Sequence, residues 1–180
     1  MEAVVELHEE VGPAFTTISA IAERAGVQRL TVYRHFPDEP SLFQACSTHW
    51  MDRHPPPDPA AWSGIQDPGE RARTALTALY GYFRNGAPMI SKIIRDADHV
   101  EALQPFVAPY RSFLAEVAGG LAAGWGVEGE RQRALRAAAG LAVRFETWRS
   151  LEEEGLQDEP AAALMARFLA CVADGAPPGT

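Results

Sequence analysis

Two cysteines, Cys46 and Cys171, are the entire cysteine content of this 180-residue chain. That is too few for a disulfide framework, so a reducing cytoplasm is the simplest home, and both residues read as small buried hydrophobes. Long apolar runs are also missing, because charge interrupts each one well short of the length that spans a bilayer. Met1-Glu2-Ala3-Val4 has neither the basic start nor the apolar core of a secretion signal. No internal repeat is visible. There is no glycine-rich phosphate loop, no serine elbow, and no pair of acids with a partner base. An enzyme on a helical scaffold is therefore the remote alternative, and no cofactor is expected. Cys46 and His49 stand one helical turn apart, with His54 close by, but no second Cys/His pair completes a tetrahedral set and no metal is expected. Positive charge is scarce too. The net charge is −8, and within residues 1–54 four arginines (Arg24, Arg29, Arg34 and Arg53) oppose eight carboxylates. A nucleic-acid binder usually carries a basic footprint. Any binding of this chain to a duplex must rest on few contacts, chosen by which charges face outward.

What is present is concentrated in residues 17–36. Thr17 is placed to cap a helix with its hydroxyl, and Ile18, Ile21, Ala22 and Ala25 recur at helical spacing. Gly26 suits the left-handed conformation that ends a helix and turns the chain. Val27 is positioned to plug the angle that follows. A second helix then carries Leu30 or Val32, with Phe36, inward and leaves Gln28, Arg29, Thr31, Tyr33 and His35 outward. Two short helices joined at a glycine form a helix-turn-helix, whose second helix enters the major groove of DNA.

The run Ile21-Ala22-Glu23-Arg24-Ala25-Gly26-Val27, then Thr31-Val32-Tyr33-Arg34-His35-Phe36 and Leu42-Phe43, resembles the DNA-binding domain of the TetR family of transcriptional regulators. The resemblance covers roughly residues 3–50, and the later residues are compatible with the family's helical regulatory domain without carrying a motif. It implies that Tyr33 and His35 hold phosphates. It also implies a longer first helix preceded by a basic arm, where this chain has only the short helical pattern of residues 2–11 ended by Gly12-Pro13. Either the start lies downstream of the true one or those contacts have been lost. Where family members usually carry a lysine, Glu39 stands between Asp38, a plausible N-cap, and Pro40.

His54-Pro-Pro-Pro-Asp-Pro59 is a stiff connector. It divides the chain into a three-helix DNA-binding domain, residues 1–54, and a helical ligand-binding and dimerisation domain, residues 60–175. In the second part, helical spacing predicts segments at 68–85, 89–96, 101–123, 129–154 and 160–173. The break between the first two falls at Gly86-Ala87-Pro88, and the last segment is apolar on nearly every side. A helix of that kind needs burial all round, and a second subunit would provide it. Pro177-Pro178-Gly179-Thr180 reads as a frayed tail.

The fold expected is all-α. The expected DNA-binding set is Thr17, Gln28, Arg29, Thr31, Tyr33, Arg34 and His35. Gln28 and Arg29 suit bidentate contacts to adenine and guanine, and Thr31 suits a thymine methyl. Arg34 is equally a phosphate contact or a solvated surface charge. The resemblance implies an effector pocket in the second part, for which Tyr80, Phe83, Met89, Ile93, Phe106, Tyr110, Phe113, Phe145 and Trp148 are available, with Arg95, His99, Arg144 or Glu146 as a polar anchor. It further implies a homodimer through residues 129–154 and 160–173, bound to a palindromic operator and released by a small effector; the few charges in the pocket set favour an apolar or aromatic one. A ligand sensor or co-regulator with weakened or lost direct DNA binding is the alternative.

Overall fold

The computed structural model describes residues 1–175; the C-terminal tail lies outside the described residues. Among the described residues the secondary structure is entirely helical, as the periodicity predicts. The elements are α1 (Glu2–Glu10), α2 (Ile18–Arg24), α3 (Arg29–His35), α4 (Glu39–Met51), α5 (Ala60–Ser63), α6 (Pro68–Asp96), α7 (Gln104–Leu121), α8 (Gly129–Ala142), α9 (Phe145–Glu153) and α10 (Asp158–Asp174). No helix among the described residues is long and apolar enough to cross a membrane.

The chain forms two compact units. One comprises Met1–Pro55 with Asn85–Tyr110; the other comprises Pro56–Arg84 with the described residues from Arg111 onward. This partition differs from a single cut at the proline connector, because the end of α6 and the start of α7 pack with the N-terminal residues.

In the first unit, α1 buries Val4, Val5, Leu7 and His8, α2 buries Ile21 and Ala22, and α4 buries Leu42, Phe43, Cys46 and Trp50. Phe43 extends this core to Ala97, Leu103 and Val107. Asp96, buried at the end of α6, accepts a hydrogen bond from the Ala14 backbone N–H at 3.0 Å, while Arg95 donates to the Val11 carbonyl at 2.7 Å. Burial alone would discourage ionisation of Asp96. The Arg95 guanidinium and the Ala14 amide outweigh it and hold the carboxyl below its ordinary range.

The second unit is built around the α6 face carrying Leu76, Leu79, Tyr80 and Phe83, none of which has measurable exposure. Phe145 and Trp148 of α9 pack on Phe83, with ring centroids 5.6 and 6.1 Å away. Asp158 at the start of α10 accepts from Arg84 Nε through both oxygens and from Trp148 Nε1.

Four expectations from the sequence require correction. Gly86-Ala87-Pro88 does not break the chain, since α6 runs through it. A proline inside a helix costs about 3 kcal/mol. Here the helix buries Leu76, Leu79, Tyr80, Phe83, Met89 and Ile90 to 5% exposure or less. At roughly 1.5–3 kcal/mol for each large apolar side chain, that burial is the larger effect. Conversely, residues 129–154 are not one helix. Arg144 is extended, with ψ 142°, and separates α8 from α9. The carbonyls left over at the end of α8 find other donors: Tyr80 Oη donates to Ala142 at 2.9 Å and Thr147 Oγ1 donates to Leu141 at 2.7 Å. The re-aimed chain then brings Phe145 and Trp148 onto Phe83. Third, the helix predicted from residue 101 begins with a 3-10 turn, Glu101–Leu103, before α7. Pro109 is accommodated inside α7. Last, Cys171 is exposed; only Cys46 is buried.

Candidate nucleic-acid interface

Thr17 caps α2 as its hydroxyl position suggests, its Oγ1 accepting from the Ala20 N–H at 3.1 Å. The far end of α2 closes with two backbone bonds, Val27 N–H to the Ala22 carbonyl at 2.9 Å and Gly26 N–H to the Glu23 carbonyl at 3.1 Å. That pairing is a Schellman motif, and it requires a left-handed residue between them. Gly26 supplies it at φ 66°; no neighbouring atom lies within 4 Å of where its Cβ would stand, so backbone conformation alone demands glycine. The turn aims α3 away from α2. Its N-cap, Gln28, has an extended backbone and makes no side-chain cap, which leaves its carboxamide uncommitted.

One choice left open for this segment is decided and one expectation fails. Val32 is the buried residue of α3, with Phe36 half-buried after it, whereas Leu30 is 73% exposed. Residues two apart on a helix are separated by about 200°, so only one of Leu30 and Val32 can face the core. Val27, expected to plug the interhelical angle, is 43% exposed. Thr17, Gln28, Arg29, Tyr33, Arg34 and His35 are exposed, and Thr31 is half-buried.

The acidic total of this segment resolves once the partners are known. Arg24 is held by Glu10 through two nitrogens, at 2.9 and 2.7 Å, and by Glu6 at 3.1 Å. Arg53 and His49 both engage Glu2, whose carboxyl they hold well below the usual range, at about 2. Glu9 accepts from Trp50 Nε1. Asp38 accepts from the Ser41 N–H at 2.8 Å and caps α4. Five of the eight carboxylates are therefore engaged within the fold. Among the described residues, Arg29 and Arg34 make no ion pair. They are the two guanidinium groups on α3 available to an outside anion.

Phosphate capture at the start of α4 is another matter. A helix N-terminus binds anions through free N–H groups. Here the Asp38 carboxylate occupies one, Pro40 lacks one, and Glu39 adds a negative charge.

With this geometry in place, the comparisons are decisive for the segment. Residues 1–46 match the family model described as bacterial regulatory proteins, tetR family. The N-terminal segment is thus of the tetR type. Two solved structures share the fold of this chain across nearly its full length. A TetR-like transcriptional regulator from a Rhodococcus species superposes with a TM-score of 0.62 at 22% identity, over 97% of this chain and 93% of that one. A TetR transcription regulator from Haloarcula marismortui gives a TM-score of 0.54 at 18% identity, over 97% and 96%. No curated protein matches at a significant level. The α2–α3 pair is accordingly the helix-turn-helix within the segment that matches the tetR-family model.

The nine aromatic and flexible residues considered for an effector pocket divide between the two units. Tyr80, Phe83, Phe145 and Trp148 form one buried cluster in the second unit, which also contains half-buried Phe113. Burial pushes the Tyr80 phenol well above its ordinary range. Met89, Ile93, Phe106 and Tyr110 belong to the first unit, where Ile93 and Phe106 pack against the core around Phe43. Of the polar anchors considered, Arg95 is engaged by Asp96, Arg144 and Glu146 are exposed, and His99 lines an open groove of about 600 Å³ with Pro13, Glu39, Phe43, Val100 and Glu101. The sequence offered no signal for that groove, because its walls come from segments some 60 to 90 positions apart.

Proposed function

We propose that this protein is a homodimeric repressor whose α3 helices read two half-sites of a palindromic operator, and whose release is triggered by a small apolar or aromatic effector. The observation that carries the reading is the state of α3. Gln28, Arg29, Tyr33, Arg34 and His35 are all exposed, and both arginines stand clear of the carboxylates that neutralise Arg24 and Arg53. Gln28 and Arg29 contact base edges, Thr31 lies beside them, and Tyr33, His35 and Arg34 position the backbone, with Thr17 at the start of α2. Recognition helices of a dimer would stand about 34–36 Å apart. The dimer interface is assigned to α8 and α10, which leave Leu141 49% and Phe168 39% exposed in the single chain. The effector is assigned to the aromatic surroundings of Tyr80, Phe83, Phe145 and Trp148. It acts by favouring a state with the wrong half-site separation, a coupling of order 1–3 kcal/mol.

The second reading is a sensor or co-regulator that no longer grips DNA directly. Asp38, Glu39 and Pro40 at the start of α4 favour it, since they remove a phosphate contact. Sites selected from random DNA, followed by fluorescence anisotropy across a salt series, separate the two. Saturable binding that weakens steeply with salt supports the repressor. No binding even at about 50 mM salt overturns it in favour of the sensor.

A further inference from the structure

We propose that Leu30 is a base-reading residue and that it recognises the C5-methyl groups of thymine in the operator. This rests on the DNA-binding reading above. On α3, Val32 is 4% exposed and fixes which side faces the core. Leu30, two residues earlier, is thereby turned outward and is 73% exposed, the largest value among the exposed large hydrophobics of the described residues. Tyr33, three residues on and so a neighbour on the same side, is 53% exposed. An isobutyl group standing in water on a seven-residue helix contributes nothing to the core of this unit, which Val32 already reaches.

The chemistry of the surrounding residues selects the occupant. Leu30 lies between Arg29 and Thr31, and Arg29 makes no ion pair among the described residues. A protein surface docking there would have to bury that guanidinium. A duplex offers it guanine or phosphate acceptors instead. In the major groove the thymine methyl is the one apolar group that a base pair presents, and a branched aliphatic side chain is its natural complement. Thr31, the other candidate for that contact, is half-buried and less able to reach.

The test uses the full chain and a site it selects from random DNA. Each thymine of one half-site is replaced in turn by deoxyuridine, which deletes only the methyl group. One or two replacements should weaken binding about fourfold each, the value of one buried methylene-sized group. Leu30→Ala should erase that difference, binding thymine and uracil versions equally, while leaving the melting temperature unchanged. If no replacement alters affinity, the proposal fails although DNA binding stands. It fails equally if Leu30→Ala still discriminates thymine from uracil. Absence of saturable binding to any thymine-containing site overturns both this assignment and the DNA-binding reading.

Discussion

The Trp50 ring fills the space that a side chain at position 86 would need. A Cβ placed on Gly86 falls 3.0 Å from both Cη2 and Cζ2 of that indole, and 2.9 Å from Ile90 Cδ1. Trp50 is itself only 7% exposed and cannot swing away. Glycine in the interior of a helix normally costs about 1 kcal/mol relative to alanine. Here we expect the sign to reverse. Gly86→Ala should destabilise the protein by about 1–2 kcal/mol, because overpacking a buried ring costs about 1–3 kcal/mol and exceeds the propensity gain. Chemical denaturation measures it, and a stabilised variant would show that the α4–α6 contact is looser than described.

His8 gives the N-terminal unit a pH dependence. Its ring is 2% exposed, Nδ1 lies 3.4 Å from Cys46 Sγ, and Nε2 has no hydrogen-bond partner among the described residues. Burial pushes its pKa from 6.5 down to about 4, against an opposing attraction from Asp96. Between those values the unfolded chain binds a proton that the folded chain refuses, so stability falls as pH is lowered from 6.5 towards 4. The loss approaches about 3 kcal/mol at the lower end. A denaturation series over that window should show the decline. His8→Leu should flatten it, whatever its absolute stability at pH 7.

Arg29 and Arg34 should separate by kind of effect. Arg29→Ala should relax sequence preference at one base pair of each half-site, costing about 1–3 kcal/mol against the preferred base. Arg34→Ala should weaken binding to all sequences alike and reduce the salt slope by about one. Anisotropy titrations on the selected site and its single-base variants read both. If Arg29→Ala leaves the preference unchanged, the base reader lies elsewhere on α3.

Tyr80 closes the gap between α8 and α9. Its hydroxyl is buried and donates to the Ala142 carbonyl, which a continuous helix would have satisfied. Tyr80→Phe keeps the ring packing and strands that acceptor, so a loss of about 1–3 kcal/mol is expected. A melting temperature equal to that of the parent would mean that the carbonyl finds another donor.

Much of the interface could be read without coordinates because its determinants are local. A hydroxyl at 17, a left-handed glycine at 26 and apolar residues at 21, 22 and 32 specify two helices and the turn between them from interactions a few residues apart. The same locality explains the Asp38 cap on α4. The misreadings share a different origin. Gly86 and Pro88 look like a breaker pair, and nothing nearby reveals that Trp50 occupies the glycine's missing side chain. Residues 129–154 look continuous, and nothing nearby reveals that Tyr80, more than sixty positions away, supplies a donor to the Ala142 carbonyl where the backbone parts at Arg144.

For the helix-turn-helix, then, the order of residues by itself determined the elements and the turn, since each follows from short-range periodicity and backbone conformation. Tertiary structure alone decided how that motif presents itself. It withdrew Arg24 and Arg53 into ion pairs with α1, placed Val32 rather than Leu30 in the core, and left Arg29, Leu30 and Arg34 outward. Charge pairing and burial depend on which residues of distant segments meet, and that depends on packing rather than on spacing along the chain.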